Sequence, residues 1–184
     1  MNYHLFQLIN GQAGRLDPLD DVLEWSATWV IVLMAAVALV PAVRVARAGR
    51  TAALVRVAAA LLLAFAGGQL VAHLNHEVRP FQTHAVHQLI PHAPGGSLPS
   101  DHATAGFALA FAVGVFLSVR WGVALTVLAA LLGFARVWDG VHYPLDIAVG
   151  AAIGAVAVTV VLLVDRLVAR TTGRPAGGNP ALTG

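Results

Sequence analysis

Five long apolar runs, separated by short polar stretches, dominate the pattern of the chain. They cover residues 25–43, 52–74, 103–119, 122–137 and 144–168. Each run is close to the roughly 20 residues that a helix needs to cross about 30 Å of hydrocarbon. Because lipid offers no hydrogen-bond partners to the backbone, such runs must satisfy their own amide groups, as helices do. The pattern therefore predicts an all-α, polytopic transmembrane bundle of about five spans.

The two ends of the chain differ from these runs. Residues 1–24 mix apolar positions with an acidic group, and they lack the basic start and long apolar core of a cleavable signal peptide. We expect a short amphipathic helix at the membrane interface there, with a disordered terminus as the alternative. Residues 171–184 are rich in Gly, Pro and Thr, which is typical of a flexible tail. Since no linker or internal repeat is visible, residues 1–184 are predicted to form a single domain.

Composition supports a membrane protein and excludes several other classes. Hydrophobic residues make up 58% of the chain and charged residues 11%, with a mean hydropathy of +0.77, whereas a soluble domain carries about 25% charged residues. The chain has no cysteine, which excludes disulfides, thiolate metal sites and thiol nucleophiles. The sequence pI is about 9.9, but no basic cluster accompanies aromatic residues, so we expect no nucleic-acid partner.

All eleven basic residues are arginines, and most of them lie between or after the apolar runs. The groups after the first, third and fifth runs are Arg44, Arg47 and Arg50, then Arg120, then Arg166, Arg170 and Arg174. Arg56, near the start of the second run, is expected to snorkel toward the same membrane surface. The positive-inside rule puts these segments in the cytoplasm, with the N-terminus outside and the C-terminus inside.

Three polar clusters interrupt the apolar pattern, and the expected topology puts all three at the extracytoplasmic surface. They are residues 76–81, 95–102 and 136–146. The first cluster contains Arg79 and the third contains Arg136. These two arginines lie on the side opposite to the one that the positive-inside rule predicts for basic residues. Their planar guanidinium groups suit phosphate oxygens. In the second, Ser100 is the predicted N-cap of a helix whose free N–H groups attract anions, with His102 in its first turn. Together the three clusters predict a phosphate site.

A histidine and an aspartate four residues apart follow Arg136. Pro144 is a good first residue for the fifth helix, which places Asp146 in its first turn, within reach of His142 just before the helix. A carboxylate that holds one imidazole nitrogen makes the other a better nucleophile or base. We therefore predict that His142 and Asp146 form a catalytic pair and that His102 exchanges protons near neutral pH.

Three segments resemble, in chain order, the three motifs of the type 2 phosphatidic acid phosphatase (PAP2) superfamily. They are Arg79-Pro80, then Pro99-Ser100-Asp101-His102, and then Arg136 with His142 and Asp146. The resemblance spans most of the chain. The segments HEVRPF, SLPSDH and RVWDGVHYPLDI are most similar to the bacitracin-resistance type of undecaprenyl-diphosphate phosphatases.

Three positions depart from the superfamily pattern. Ala72 stands where a lysine is usual, Asp101 where a glycine is usual, and Ala135 where a serine is usual. The aspartate form of the second motif is common in the undecaprenyl-diphosphate branch, so Asp101 supports the narrower match. The candidates to replace the lysine are His73, Asn75 and His76.

The resemblance implies an enzyme that removes the terminal phosphate of undecaprenyl diphosphate on the outer face of a bacterial plasma membrane, recycling the lipid carrier of cell-wall synthesis. It implies that His142 attacks phosphorus to form a phosphohistidine, that Asp146 orients it, and that His102 protonates the leaving group and then activates water. The implied phosphate-binding residues are Arg79, Ser100, Asp101 and Arg136, with Glu77 and His76 as accessory candidates. Neither a metal nor another cofactor is implied, and the implied partners are the polyprenyl lipid substrate and membrane lipids.

Several alternatives stay open at this point. The substrate could be another lipid phosphate, such as phosphatidylglycerophosphate or phosphatidic acid. A non-enzymatic alternative is a protein that only binds or exports polyprenyl lipids. Clustered histidines could hold zinc: His73, His76, His84, His87 and His92. Residues 81–91 have helical apolar spacing, which predicts a short helix lying flat at the bilayer edge, either as a headgroup guide or as a lid. The sequence leaves chain-length preference and oligomeric state open.

Overall fold

The computed structural model describes residues 2–172, and this part of the chain is built from helices. In order they are α1 (Asn2–Asn10), α2 (Asp17–Arg47), α3 (Thr51–Leu74), α4 (Pro80–Thr83), α5 (Asp101–Phe116), α6 (Val119–Trp138) and α7 (Pro144–Thr172). Within residues 2–172 the β-pairing is limited to one antiparallel bridge between Val78 and Gly96. The predicted all-α bundle is therefore confirmed. Residues 173–184, with Arg174 and most of the predicted tail, lie outside the described residues.

Each of the five predicted runs forms a helix, but the helix of the third run, α5, ends at Phe116 and Val119 already begins the next one. Four helices, α2, α3, α6 and α7, are long and apolar enough to cross a membrane, whereas α5 has only 16 residues and a length of roughly 24 Å. The first of them begins earlier than the apolar run does, because Pro18 suits a helix start and Asp17 and Asp20 complement the positive end of the helix dipole. The acidic part of the predicted interfacial segment thus belongs to α2, and only α1 is a separate short helix.

The short helix α5 lies at the centre of the bundle, packed against α2, α3, α6 and α7. Small residues permit these close crossings. A side chain at Gly154 of α7 would lie 2.8 Å from the backbone nitrogen of Ala108 on α5, so only glycine fits there. On the opposite side, Gly122 of α6 meets the backbone of Gly114 in the same way. The central position of α5 brings its N-terminus close to the other polar segments.

Because successive long helices run in opposite directions, the polar segments gather at one end of the bundle. Asn10 of α1 bonds to the carbonyl oxygens of His87 and Trp138, which joins α1, the α4–α5 segment and the end of α6. Toward the opposite end, Arg56 of α3 forms a 2.6 Å ion pair with Asp165 of α7. Arg56 is therefore paired across the bundle, at the end opposite the polar segments.

The segment predicted to be a flat helix over residues 81–91 is mostly irregular. Its helical part, α4, ends at Thr83. Beyond it the backbone bonds to distant residues: the N–H and carbonyl of His87 to the Asn10 side chain, and the N–H of Leu89 to the carbonyl of Asp139. These partners replace the i to i−4 bonds of a helix, so the helix prediction is wrong for this segment.

Candidate active site

His142 lies in the tight turn between α6 and α7 and is only 2% exposed. A left-handed Gly140 (φ 78°) lets the chain reverse after Trp138, and Pro144 then starts α7. The Nδ1 atom of His142 lies 3.1 Å from Oδ2 of Asp146. Because a carboxylate oxygen only accepts, Nδ1 carries the proton and Nε2 keeps its lone pair. The predicted His142–Asp146 pair is thus formed, with the unprotonated Nε2 on its far side.

Asp146 is fully buried, and three donors converge on its Oδ2 atom. They are Nδ1–H of His142, the backbone N–H of Tyr143 at 2.8 Å, and the hydroxyl of Ser97. The backbone carbonyl of Asp146 in turn accepts from the N–H of Ser100 at 3.3 Å. This network fixes the carboxylate against both the catalytic turn and the start of α5, so the second and third sequence motifs are joined directly.

Arg79 contacts the lone pair of the same imidazole. Its Nη1 atom lies 3.1 Å from Nε2 of His142, 3.3 Å from Nε2 of His92 and 3.4 Å from the carbonyl oxygen of Val141. Burial lowers the pKa of Arg79, and the charges of Asp101 and Asp146 oppose that shift. A guanidinium beside an imidazole lone pair is well placed to bind the oxygens of a phosphoryl group held next to that nitrogen.

Arg136 is 3% exposed at the end of α6, and most of its donors lack a partner in the described structure. Its Nη1 atom donates to the carbonyl oxygen of Ala27 at 3.4 Å, while Nε and Nη2 are buried without an acceptor among residues 2–172. Buried donors are normally satisfied, and an unmatched buried cation is costly. The unmatched N–H groups suit an anion such as phosphate.

The start of α5 completes the site. Ser100 is the N-cap as predicted, because its Oγ atom accepts from the N–H of Ala103 at 3.5 Å. The first N–H groups of a helix have no partner inside it, so those of Asp101 and His102 are available to an anion. The partly buried His102 ring lies within electrostatic range of Arg79, Arg136, His92 and His142.

The surroundings of His142 keep its imidazole unprotonated. Burial lowers its pKa to about 4, the bond to Asp146 opposes this shift, and the charges of Arg136 and Arg79 add to it. An imidazole with this pKa is neutral throughout the physiological pH range. Its lone pair is therefore available without prior loss of a proton.

The remaining predicted site residues lie around this centre. The carboxylate of Asp101 is exposed, and as an acceptor it does not bind phosphate oxygens, which leaves its backbone N–H as the group that could. Glu77 accepts the N–H of Ser97 through its backbone carbonyl at 2.8 Å, and burial followed by the charge of Asp146 raises the pKa of its side chain. His76 is exposed and makes no hydrogen bond to another described residue.

Three residues near the site were not among the predicted site residues. Ser97 bonds to Asp146, and His92 bonds to Arg79. Asp139 is fully buried next to the catalytic turn, and neither of its carboxylate oxygens has a partner among residues 2–172. Ser97 lies inside the segment SLPSDH and Asp139 inside the segment RVWDGVHYPLDI, so their positions in these motifs could have indicated that they lie near the site. His92 had no such signal, because one of several clustered histidines cannot be distinguished by spacing.

The zinc alternative has no support in the described part of the chain. Among residues 2–172, no group of three or more His, Asp or Glu side chains is arranged to hold a metal ion.

Comparisons with known proteins identify the family of the chain. The chain is 35% identical over 150 residues to the undecaprenyl-diphosphatase BcrC of Bacillus subtilis (strain 168), covering 80% of this chain and 75% of that protein. It is 40% identical over 88 residues to the bacitracin transport permease protein BcrC of Bacillus licheniformis, covering 47% of this chain and 43% of that one. Its fold is similar to the crystal structure of Aquifex aeolicus LpxE, with a TM-score of 0.70, 26% identity, and 88% and 94% of the two chains covered. The model of the PAP2 superfamily matches residues 53–168, a range that holds all three motifs, and the chain is a multi-pass membrane protein of that superfamily.

Proposed function

We propose that this protein removes the terminal phosphate of undecaprenyl diphosphate, giving undecaprenyl phosphate and inorganic phosphate. The observation that carries the proposal is the buried His142–Asp146 pair, whose free Nε2 lies beside the Arg79 guanidinium. The Bacillus subtilis relative named as an undecaprenyl-diphosphatase supports the choice of substrate. The reaction would regenerate the lipid carrier of bacterial cell-wall synthesis.

Phosphate binding in this proposal uses donors from all three motifs. Arg79 and the unmatched Nε and Nη2 atoms of Arg136 contact the terminal phosphate. The Ser100 hydroxyl accepts from the N–H of Ala103, so its own hydrogen is free to be donated to a phosphate oxygen. The N–H groups of Asp101 and His102 add the positive end of the α5 dipole. These groups stabilise the charge that gathers on the equatorial oxygens in the transition state.

The first chemical step transfers the phosphoryl group to His142. Nε2 attacks the terminal phosphorus in line, so that the N–P bond forms while the bond to the bridging oxygen breaks. His102 donates a proton to that oxygen, and the lipid monophosphate leaves. Asp146 stabilises the phosphohistidine, which is positively charged on its ring, through the bond to Nδ1–H.

The second step hydrolyses the phosphohistidine. His102, now unprotonated, takes a proton from a water molecule as its oxygen attacks phosphorus, and the N–P bond breaks. Inorganic phosphate leaves, and His142 regains its lone pair. His102 is again protonated, so the enzyme returns to its starting state without a metal or other cofactor.

The proposed location of the site is the outer face of a bacterial plasma membrane. The segments rich in arginine, around residues 44–50 and 166–172, lie at the end of the bundle opposite the site. The positive-inside rule supports a cytoplasmic position for that end. The N-terminus is then outside, the C-terminus is inside, and the substrate headgroup reaches the site from the extracytoplasmic side.

The proposal is tested by phosphate release from defined lipids by detergent-purified protein in the presence of a chelator. Undecaprenyl diphosphate, phosphatidylglycerophosphate and phosphatidic acid are compared at equal surface concentration, with and without vanadate, an analogue of five-coordinate phosphorus. We expect the highest kcat/KM for undecaprenyl diphosphate, inhibition by vanadate, and no effect of the chelator. A preference for another lipid phosphate would contradict the substrate, and binding without release of phosphate would contradict an enzyme.

A further inference from the structure

We propose that His92 is a positioning residue that holds the Arg79 guanidinium at the site while His142 carries the phosphoryl group. The inference rests on the proposed function, because it concerns the phosphohistidine step. His92 lies in the irregular segment between α4 and α5 and belongs to none of the three motifs.

Among residues 2–172, the hydrogen bonds of the Arg79 side chain all come from a single nitrogen. Its Nη1 atom makes the contacts to His142, His92 and Val141, whereas its Nε atom is buried without a partner among residues 2–172. Two side chains and one backbone carbonyl therefore hold the guanidinium, and the longest of the three contacts is the one to Val141.

The hydrogen bonds of His92 fit the role of an acceptor. Its Nδ1 atom lies 3.2 Å from the carbonyl oxygen of Ala93, which can only accept, so Nδ1 carries the proton. Nε2 then has a lone pair that accepts from Arg79 at 3.3 Å. Burial lowers the pKa of the partly buried His92, the bond to Ala93 opposes the shift, and the charge of Arg79 adds to it, which favours this neutral form.

The chemistry at His142 separates the roles of the two imidazoles. The rings meet edge to face with centroids 6.1 Å apart, and Arg79 bonds to Nε2 of both. When Nε2 of His142 attacks, its lone pair becomes the N–P bond and can no longer accept a hydrogen bond from Arg79. Of the two imidazoles that accept from Arg79, only His92 can then still do so. It keeps the guanidinium in contact with the phosphoryl oxygens. Its contribution is therefore made after substrate binding, in the chemical steps.

The test compares kcat and KM for phosphate release in variants with and without an acceptor at this position. His92→Ala and His92→Phe remove the acceptor, and the second keeps most of the ring volume. His92→Gln supplies an amide oxygen at a similar reach. The matched control is His87→Ala in the same segment, where the ring is exposed and the backbone makes the bonds to Asn10.

We expect kcat to fall about 10- to 100-fold in the Ala and Phe variants with a smaller change in KM, because a lost hydrogen bond to a charged group has about this effect. Vanadate inhibition should weaken in parallel, His92→Gln should recover most of the lost rate, and His87→Ala should match the parent. If the parent is active and kcat is unchanged in both the Ala and Phe variants, the role of His92 is overturned while the proposed function stands. The same holds if the Gln variant loses as much kcat as the Ala variant. A parent that releases no phosphate from any lipid would instead overturn the proposed function, and this inference with it.

Discussion

At the scale of single residues, the site is a set of buried charges that are only partly matched to one another. Oδ2 of Asp146 receives three donors, whereas Arg136 keeps two buried nitrogens without an acceptor among the described residues. Burying an unmatched cation costs free energy that a bound anion would offset. The imbalance favours an anion such as a phosphoryl group as the missing partner, with His142 as the proposed nucleophile.

The charge of Asp146 is expected to matter more than its shape. In Asp146→Asn, the amide oxygen can accept the bonds from Ser97, Tyr143 and His142, but it lacks the negative charge that stabilises the phosphohistidine ring. We expect kcat to fall by about 10²- to 10⁴-fold with little change in KM. Phosphate-release kinetics would measure this, with the exposed Asp21→Asn as the control for a neutralised carboxylate. A parental kcat in Asp146→Asn would mean that the reaction does not use the charge.

Asp139 gives a prediction about stability and pH. Burial, followed by the charge of Glu24, raises its pKa to about 7, with Arg136 opposing and Asp20 adding to the shift. Between about pH 4 and pH 7 the folded protein therefore binds a proton that the unfolded chain has lost, and this group lowers stability as the pH rises. In Asp139→Asn that loss is absent.

Thermal unfolding in detergent at several pH values would check the effect of Asp139→Asn. We expect the Tm of the variant, relative to the parent, to increase from pH 5 to about pH 7 and then to level off, and Asp21→Asn to show no such trend. A relative Tm that falls over this range would indicate that the Asp139 carboxylate is charged and stabilised in the folded protein.

At the scale of elements, the long helices could be predicted from apolar runs, whereas the irregular segment between α4 and α5 could not. The helix start at Ser100 and the spacing of His142 and Asp146 are local features, so the sequence was sufficient for both. The segment after α4 has helical periodicity but is irregular, because its backbone partners, Asn10 and Asp139, are far away in sequence. Local spacing carries no information about such partners. The same reason hid the contact of His92 with Arg79.

The helix α1 is expected to stabilise the site end of the bundle through Asn10. Its side chain is buried and makes three bonds, to the N–H and carbonyl of His87 and to the carbonyl of Trp138. Asn10→Ala would leave these backbone groups unpaired, at a cost of about 1–3 kcal/mol in the free energy of unfolding. Chemical unfolding in detergent would measure the loss. The exposed Gln7→Ala on the same helix is the control, and equal stability of the two variants would contradict the role of Asn10.

At the scale of the whole molecule, the bundle has a catalytic end and an arginine-rich end. The catalytic groups come from segments that are distant in sequence, and the alternating directions of α2, α3, α5, α6 and α7 bring them to one end. The central helix α5 contacts the four others, so the position of Ser100 and His102 depends on the packing of the whole bundle. The orientation of the bundle in the membrane then decides which compartment the site faces.

That orientation can be tested with single cysteines, because the chain has none of its own. Ala93→Cys is in the exposed segment at the catalytic end, and Ala48→Cys is in the exposed α2–α3 connection. We expect a membrane-impermeant maleimide to label Ala93→Cys in intact bacteria and Ala48→Cys only after the membrane is permeabilised. The reverse pattern would place the site in the cytoplasm.

The most direct test of the central claim is to trap the phosphorylated enzyme. Purified protein is mixed with undecaprenyl diphosphate carrying a radioactive terminal phosphate, quenched in base within one turnover, and digested for mass spectrometry. We expect an acid-labile, base-stable phosphate on the peptide that contains His142, and none in His142→Ala, which should also lose turnover. A phosphate on another residue, or full turnover by His142→Ala, would contradict the account.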